Sequence, residues 1–205
     1  IRPFIDSIWA ALCHVQSNML DDSAFATVKT SSVQASLVWL QAFYESKGAI
    51  KDTLIFYAPP SACQCKVQTD ASPWGLGGVL FFKGKAHRFF QSVISQHNLR
   101  RFQASRGESK YMPVWEALAI LVALKAWSKF LSPNSIFECR CDNLGVVFNQ
   151  NKRASKSPSV NSILREIALH ASKVPGLQIR TQHISGDTNV WPDALSRTHA
   201  TGEHR

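Results

Sequence analysis

Long apolar runs are missing from this chain of 205 residues. None approaches the roughly 20 residues that a helical bilayer crossing needs, and the longest, ALAILVALKAW (117–127), contains Lys125 and reads as a buried core helix. Nor does the opening stretch read as a secretory signal peptide. The opening IRPFIDSIWAALCHV carries Asp6 inside its apolar part and has no small-residue cleavage pattern. Position 1 is Ile, not Met, which predicts a piece of a longer polypeptide. There is no internal repeat and no low-complexity tract, so a solenoid or a biased tail is excluded. Cysteine is sparse and odd in number, five in all, which predicts reduced thiols in an intracellular compartment, cytoplasm or nucleus. Acidic residues are outnumbered 14 to 23 by Lys and Arg, and the net charge of +9 favours a polyanionic partner, nucleic acid first, with no membrane.

What is present describes an ordinary packed domain: 45% hydrophobic and 18% charged residues exclude a disordered chain. Residues 1–60 differ from the rest. SSVQASLVWLQAFYESKG (31–48) predicts an amphipathic helix capped by Ser32, with Val33, Leu37, Leu40 and Tyr44 on one face and Gly48 at its end. TLIFYAPP (53–60) predicts a short strand closed by two prolines, and a boundary falls there. Beyond it, CKVQTD (65–70) predicts a strand, and GLGGVLFFKGK with AHRFFQSVIS predicts a hairpin turning near Lys83-Gly84-Lys85. A polar, basic loop (96–110) leads to a long helix from about Pro113 to Leu131. Strand 136–142, a short helix 144–150, a basic loop 151–159, helix 160–173 and strand 177–184 follow. A last helix starts near Asn189, a good N-cap, with Pro192 in its first turn. Three consecutive strands imply an antiparallel meander, and helical crossovers must add the later two in parallel. The expected fold is α/β: a mixed five-stranded sheet flanked by helices, with a short N-terminal α/β extension.

Four acids stand out against that frame. Asp70 ends the first strand and Asp142 the fourth, so parallel neighbours bring both to the carboxyl edge of the sheet. Glu116 is the lone charge at the start of an otherwise apolar helix, where an unpaired carboxylate is costly. Asp193 enters the last helix, ten residues after His183 in HISGDTNVWPDALSR (183–197). Carboxylates converging on one spot repel unless cations neutralise them. Hard divalent ions with oxygen ligands do so, Mg²⁺ foremost with Mn²⁺ as a substitute. Two such ions about 3.5–4 Å apart are the machinery for in-line attack on a phosphodiester.

TDASPWGLGGVL, WEALAILVAL, CDNLG and HISGDTNVWPDALSR, in that order, resemble the RNase H domain of retroelement reverse transcriptases, LTR and DIRS-type retrotransposons above all, over residues 61–199. The resemblance implies an RNase H-like fold. It also implies endonucleolytic, two-metal hydrolysis of the RNA strand of RNA–DNA hybrids, with Asp70, Glu116, Asp142 and Asp193 as catalytic metal ligands. His183 matches the family's mobile-loop His, and Asn189 a family-typical position before the last acid. An upstream polymerase domain in the same polyprotein becomes an expected partner, residues 1–60 a thumb- or connection-like remnant, and residues 200–205 a tail. Discrimination of RNA needs contacts to 2′-hydroxyls. The backbone groups of Ala71 and Ser72, with Asn143 and Asn149, are the candidates, and Lys152, Arg153 and Lys156 are candidate phosphate contacts.

Other motifs read as packing. Cys63-Gln-Cys65 and Cys139-Arg-Cys141 have period-two strand spacing, not the longer turns of zinc sites, and predict small buried hydrophobes. Gly75-Leu-Gly77-Gly78 lacks the Lys-Ser/Thr of a phosphate loop, so strand packing explains it. Trp39, Trp115, Trp127 and Trp191 are expected in the core. Met19-Leu20-Asp21-Asp22 lacks the hairpin context of a polymerase catalytic pair. Two alternatives remain open: a related transposase or nuclease that processes DNA, which the order of the acids argues against, and a non-catalytic nucleic-acid-binding relic of the same fold.

Overall fold

The computed structural model describes residue 5 and residues 8–11, 28–45 and 65–200. The strand expected at 53–60, the boundary at residue 60, the Met19–Asp22 stretch, Gly48, Cys63 and residues 201–205 lie outside the described residues. Among those described, no helix is long and apolar enough to cross a membrane.

The sheet holds five strands: β1 (Cys65–Ala71), β2 (Gly75–Phe82), β3 (Lys85–Val93), β4 (Ile136–Cys141) and β5 (Gln178–His183), in the order β3-β2-β1-β4-β5. β1, β2 and β3 pair antiparallel, while β4 lies parallel to β1 and β5 parallel to β4. The hairpin between β2 and β3 turns on Lys83 and Gly84, with φ of 50° and 78°. Two central residues with positive φ match the right-handed twist of the strands they join. The helices are α1 (Thr30–Glu45), α2 (Gln96–Phe102), α3 (Met112–Ala126), α4 (Leu144–Lys152), α5 (Pro158–Ser172) and α6 (Val190–Ser196).

Helix α2 corrects the loop expected at 96–110. Ser95 caps it by accepting the Asn98 N–H, Leu99 and Phe102 bury on one side, and Gln103 closes it in the left-handed region. Phe102 then packs edge-on against Trp115 of α3, ring centroids 5.8 Å apart. Two apolar residues in a seven-residue polar helix are too few to register as a period. Helix α3 also ends earlier than expected, at Ala126, and a single 3-10 turn at 128–130 follows.

Side chains alternate across a strand, and β2 shows what that buys. Leu76 and Leu80 join Val67, Phe137 and Cys139 in the core beneath α3 and α5. Gly75 and Gly77, out of phase with them, face α6. A Cβ on Gly77 would stand 2.3 Å from the Pro192 carbonyl oxygen and 2.7 Å from the Ser196 nitrogen. The glycines therefore let α6 lie directly on the strand, as the packing reading of that motif expected. Gly77→Ala is expected to push α6 off the sheet and destabilise the domain by about 1–3 kcal/mol, the usual range for overpacking. A thermal melt unchanged from wild type would contradict this account of α6.

Helix α1 docks on α5, where the Arg165 guanidinium donates to the buried Ser36 hydroxyl at 2.7 Å. Its inward side thus runs through Ser36, while Leu37 and Tyr44 of the expected apolar face are exposed. Cys65, Cys139 and Cys141 are buried core members, as expected of small hydrophobes. Trp115 and Trp127 are core residues, but Trp191 is exposed, its ring stacked over Phe81 at 6.1 Å. The expectation of a buried Trp191 fails because α6 meets the glycine-rich strand through Pro192 and Ser196, which are buried, and leaves Val190 and Trp191 ahead of them exposed.

Candidate active site

The carboxyl ends of β1 and β4 lie side by side because the two strands are parallel neighbours. Asp70 sits one residue from the end of β1, Asp142 just past the end of β4, and Glu116 in the second turn of α3 beneath them. Each offers a carboxylate oxygen, and the three oxygens lie within 4.8 Å of one another. Asp70 and Glu116 are buried, and Asp142 is partly exposed at the mouth.

Such a cluster needs a second tier of residues to hold it. Asp70 accepts from the Ser196 hydroxyl at 2.7 Å and from the Asn189 amide at 3.3 Å. The same Asn189 amide donates to the Thr69 carbonyl at 3.1 Å. Glu116 accepts the Ala71 backbone N–H. Burial pushes the Glu116 carboxyl up to about 9, and the charges of Asp70 and Asp142 push the same way. Burial raises Asp70 to about 7 against the Ser196 hydrogen bond, with Asp142 and Asp193 adding to the rise. The causes are desolvation and like-charge crowding, and acids perturbed in this way cluster at functional sites.

A divalent ion fits this site. The donor set is all carboxylate oxygen, suited to hard ions. Glu116 Oε2 is buried without a hydrogen-bond partner, so the protein leaves one oxygen unsatisfied where the three acids meet.

Asp193 stands apart. It lies in the first turn of α6, outside the group of three, and its Oδ1 accepts from Arg197 Nε at 2.7 Å. It still acts electrostatically on Asp70 and Glu116. His183 is the exposed last residue of β5, with Nε2 3.1 Å from the Asp142 carbonyl oxygen. Gly186, in the connection to α6, lies close to Asp142, where a Cβ would come 3.6 Å from Oδ2.

The expected nucleic-acid contacts are arranged differently from the sequence reading. Asn189 is fully buried, and its side chain does not cap α6 but points to β1, so it positions Asp70 instead of meeting a ligand. The Ala71 N–H serves Glu116, and the Ser72 N–H donates to the Gly75 carbonyl. Ser72 is itself buried, its hydroxyl donating to the Ser196 carbonyl at 2.7 Å. These backbone donors are thus taken up in building the site. Asn143 caps α4 by accepting the Val146 N–H, and Asn149 is partly exposed on that helix. Lys152, Arg153 and Lys156 are exposed, with Arg153 closing α4 in the left-handed region at φ 58°.

Sequence reasoning missed three features. Ser196 and Arg197, in the ALSR run, each hold one of the acids, and only a helix laid against β1 reveals it. On α4, which begins two residues after Asp142, Leu144 and Phe148 are exposed one turn apart, and the Lys152 ammonium lies over the Phe148 ring. An i, i+4 apolar pair facing outward after a strand-end Asp was the available signal.

Comparisons with known proteins fit this geometry. The chain is similar to an RNase H1 isolated from compost by a metagenomic approach, with 22% identity and a TM-score of 0.50, over 65% of this chain and 92% of that one. It is also similar to RNase H1 of the halophilic archaeon Halobacterium salinarum, with 19% identity and a TM-score of 0.49, over 64% and 92%. A third likeness, to the prototype foamy virus protease-reverse transcriptase, has 13% identity and a TM-score of 0.38, covering 89% of this chain and 22% of that one. No curated protein matches the sequence. The first of these likenesses speaks to the fold, and the sheet order β3-β2-β1-β4-β5 agrees with it. The family described as the RNase H-like domain found in reverse transcriptase matches residues 62–167, more than half of the chain, and the chain belongs to that family.

Proposed function

We propose that this chain is a metal-dependent endoribonuclease that hydrolyses the RNA strand of RNA–DNA hybrids, as the C-terminal part of a retrotransposon reverse transcriptase polyprotein. The observation that carries the reading is the meeting of Asp70, Glu116 and Asp142 oxygens within 4.8 Å. Asp70, Glu116 and Asp142 would hold Mg²⁺, or Mn²⁺ in its place, and Asp193 would complete the set for a second ion. Bound ions of this kind activate a water for in-line attack and stabilise the departing 3′ oxygen.

The protein's own groups orient that chemistry. Ser196 and Asn189 fix the Asp70 carboxylate, and Ala71 fixes Glu116, so the ligands are set before substrate arrives. His183, exposed and with Nε2 on the Asp142 carbonyl, would meet the phosphate being cut or assist product release. Asn143 at the N-terminus of α4, with Leu144, Phe148 and Asn149 along it, would meet the hybrid's minor groove, and Lys152, Arg153 and Lys156 would contact phosphates beyond it. In this reading residues 1–60 are a thumb- or connection-like remnant, residues 61–199 the nuclease domain and residues 200–205 a tail, and the protein works in the cytoplasm or nucleus.

The test is cleavage of a labelled RNA–DNA hybrid in Mg²⁺ by wild type, Asp70→Asn and Asp142→Asn. Equal activity in all three would end the nuclease reading, and preference for duplex DNA would favour a DNA-processing enzyme. Neutralising Lys152, Arg153 and Lys156 together is expected to reduce the slope of log K against log salt for hybrid binding by up to about 2–3, at roughly 0.7–0.9 per phosphate contact. An unchanged slope would remove these residues from the interface.

A further inference from the structure

The last turn of α6 is wired to the site by two consecutive residues. Ser196 donates to Asp70 Oδ2, and Arg197 Nε donates to Asp193 Oδ1, both at 2.7 Å. The first contact leaves Asp70 inside the group of three carboxylates, whereas Asp193, held by Arg197, stands outside it. The Arg197 charge is also not confined to its immediate partner, for it acts on Asp70 and Asp142 as well. A guanidinium thus supplies positive charge to the side of the cluster that lacks a fourth ligand.

We propose that Arg197 is the resident counter-ion of Asp193, and that a second divalent ion binds by exchange, Asp193 giving up Arg197 to join the other three acids. This rests on the metal-site reading above and extends it to how the second ion is admitted. The ion pair suits a displaceable contact. Its side chains are 48% and 43% exposed, and pairs that open to water shift an equilibrium by less than about five-fold. Arg197 also sits one turn from Asp193, as the C-cap of α6, so release needs a side-chain rotation and no movement of the backbone. The exchange makes Arg197 a positioning residue, acting through Asp193, that sets the ion concentration at which the second position fills.

Mn²⁺ binding to the 205-residue chain, followed by the electron paramagnetic resonance of free Mn²⁺ and by calorimetry, tests this without any substrate. Wild type is expected to show a tighter and a weaker ion. Arg197→Gln should tighten the weaker one by about two- to five-fold, while Arg197→Lys, which keeps a cation there, stays near wild type. In an Asp193→Asn background the Gln substitution should change nothing. The proposal is overturned if Arg197→Gln leaves the weaker ion unaltered, if the tightening persists without Asp193, or if wild type binds a single ion indifferent to Asp193→Asn. Mn²⁺ binding unchanged by Asp142→Asn would instead strike the metal-site reading itself, and the exchange would fall with it.

Discussion

Asp142→Asn is expected to lower hybrid cleavage by on the order of 10³-fold while the protein folds as well as before or better. Removing a single electrostatic contact at a reacting phosphate or carbonyl typically lowers rates by about 10²–10³, and removing a member of a cooperating set by more. Asp142 belongs to the set in this strong sense, because its oxygen lies within 4.8 Å of ligand oxygens on Asp70 and Glu116. Neutralising it also relieves repulsion, since its charge raises the pKa of both neighbours. Misfolding therefore does not account for the loss, and a melt at or above the wild-type midpoint is the control. Asp70→Asn is the harsher variant. Its amide would face two donors, the Ser196 hydroxyl and the Asn189 amide, so it combines lost ligation with a broken support. Full activity in Asp142→Asn, measured on a single-turnover time course, would show that the three acids are a structural cluster only.

How much of this site was legible beforehand differs residue by residue, and the differences have physical causes. Asp70 and Asp142 could be placed because each ends an alternating strand, and strand order follows from the crossover rules. Glu116 could be placed because one charge in an apolar helix has to be answered. Asp193 stands at the entrance of the last helix, as its sequence context implies, but the sequence does not say which cation claims its carboxylate. Arg197 is one turn away, at the i, i+4 spacing that pairs the two side chains. Asn189 shows the opposite failure. Its type and position favour an N-cap, yet the pull of the Thr69 carbonyl and Asp70 turns its amide inward, a tertiary preference over a local one. Only Leu99 and Phe102 announce the short helix α2, and size alone does not bury Trp191.

The largest stability effect expected is a pH dependence of the ion-free protein, and its sign follows from the raised acids. In an unfolded chain Glu116 titrates near 4.5 and Asp70 near 3.8, whereas in the folded protein burial and mutual repulsion lift them to about 9 and about 7. Between those limits the folded state binds more protons than the unfolded one, so stability falls as pH rises through the window. Below about pH 4 this penalty is absent; above about pH 9 it is complete. For Glu116 alone the loss by pH 7 is about 3 kcal/mol, from roughly 1.4 kcal/mol for each pH unit above its unfolded value. In a domain of this size that corresponds to roughly ten degrees in Tm. Melting in EDTA should therefore show wild type losing stability between pH 5 and pH 9, while Glu116→Gln, which cannot ionise, follows a flatter profile and crosses above it. Mg²⁺ should lift the wild-type curve most at the alkaline end, where the carboxylates are charged and an ion has most to neutralise. Parallel profiles for the two proteins, or a Mg²⁺ effect independent of pH, would mean that Glu116 is not held as a buried acid among like charges.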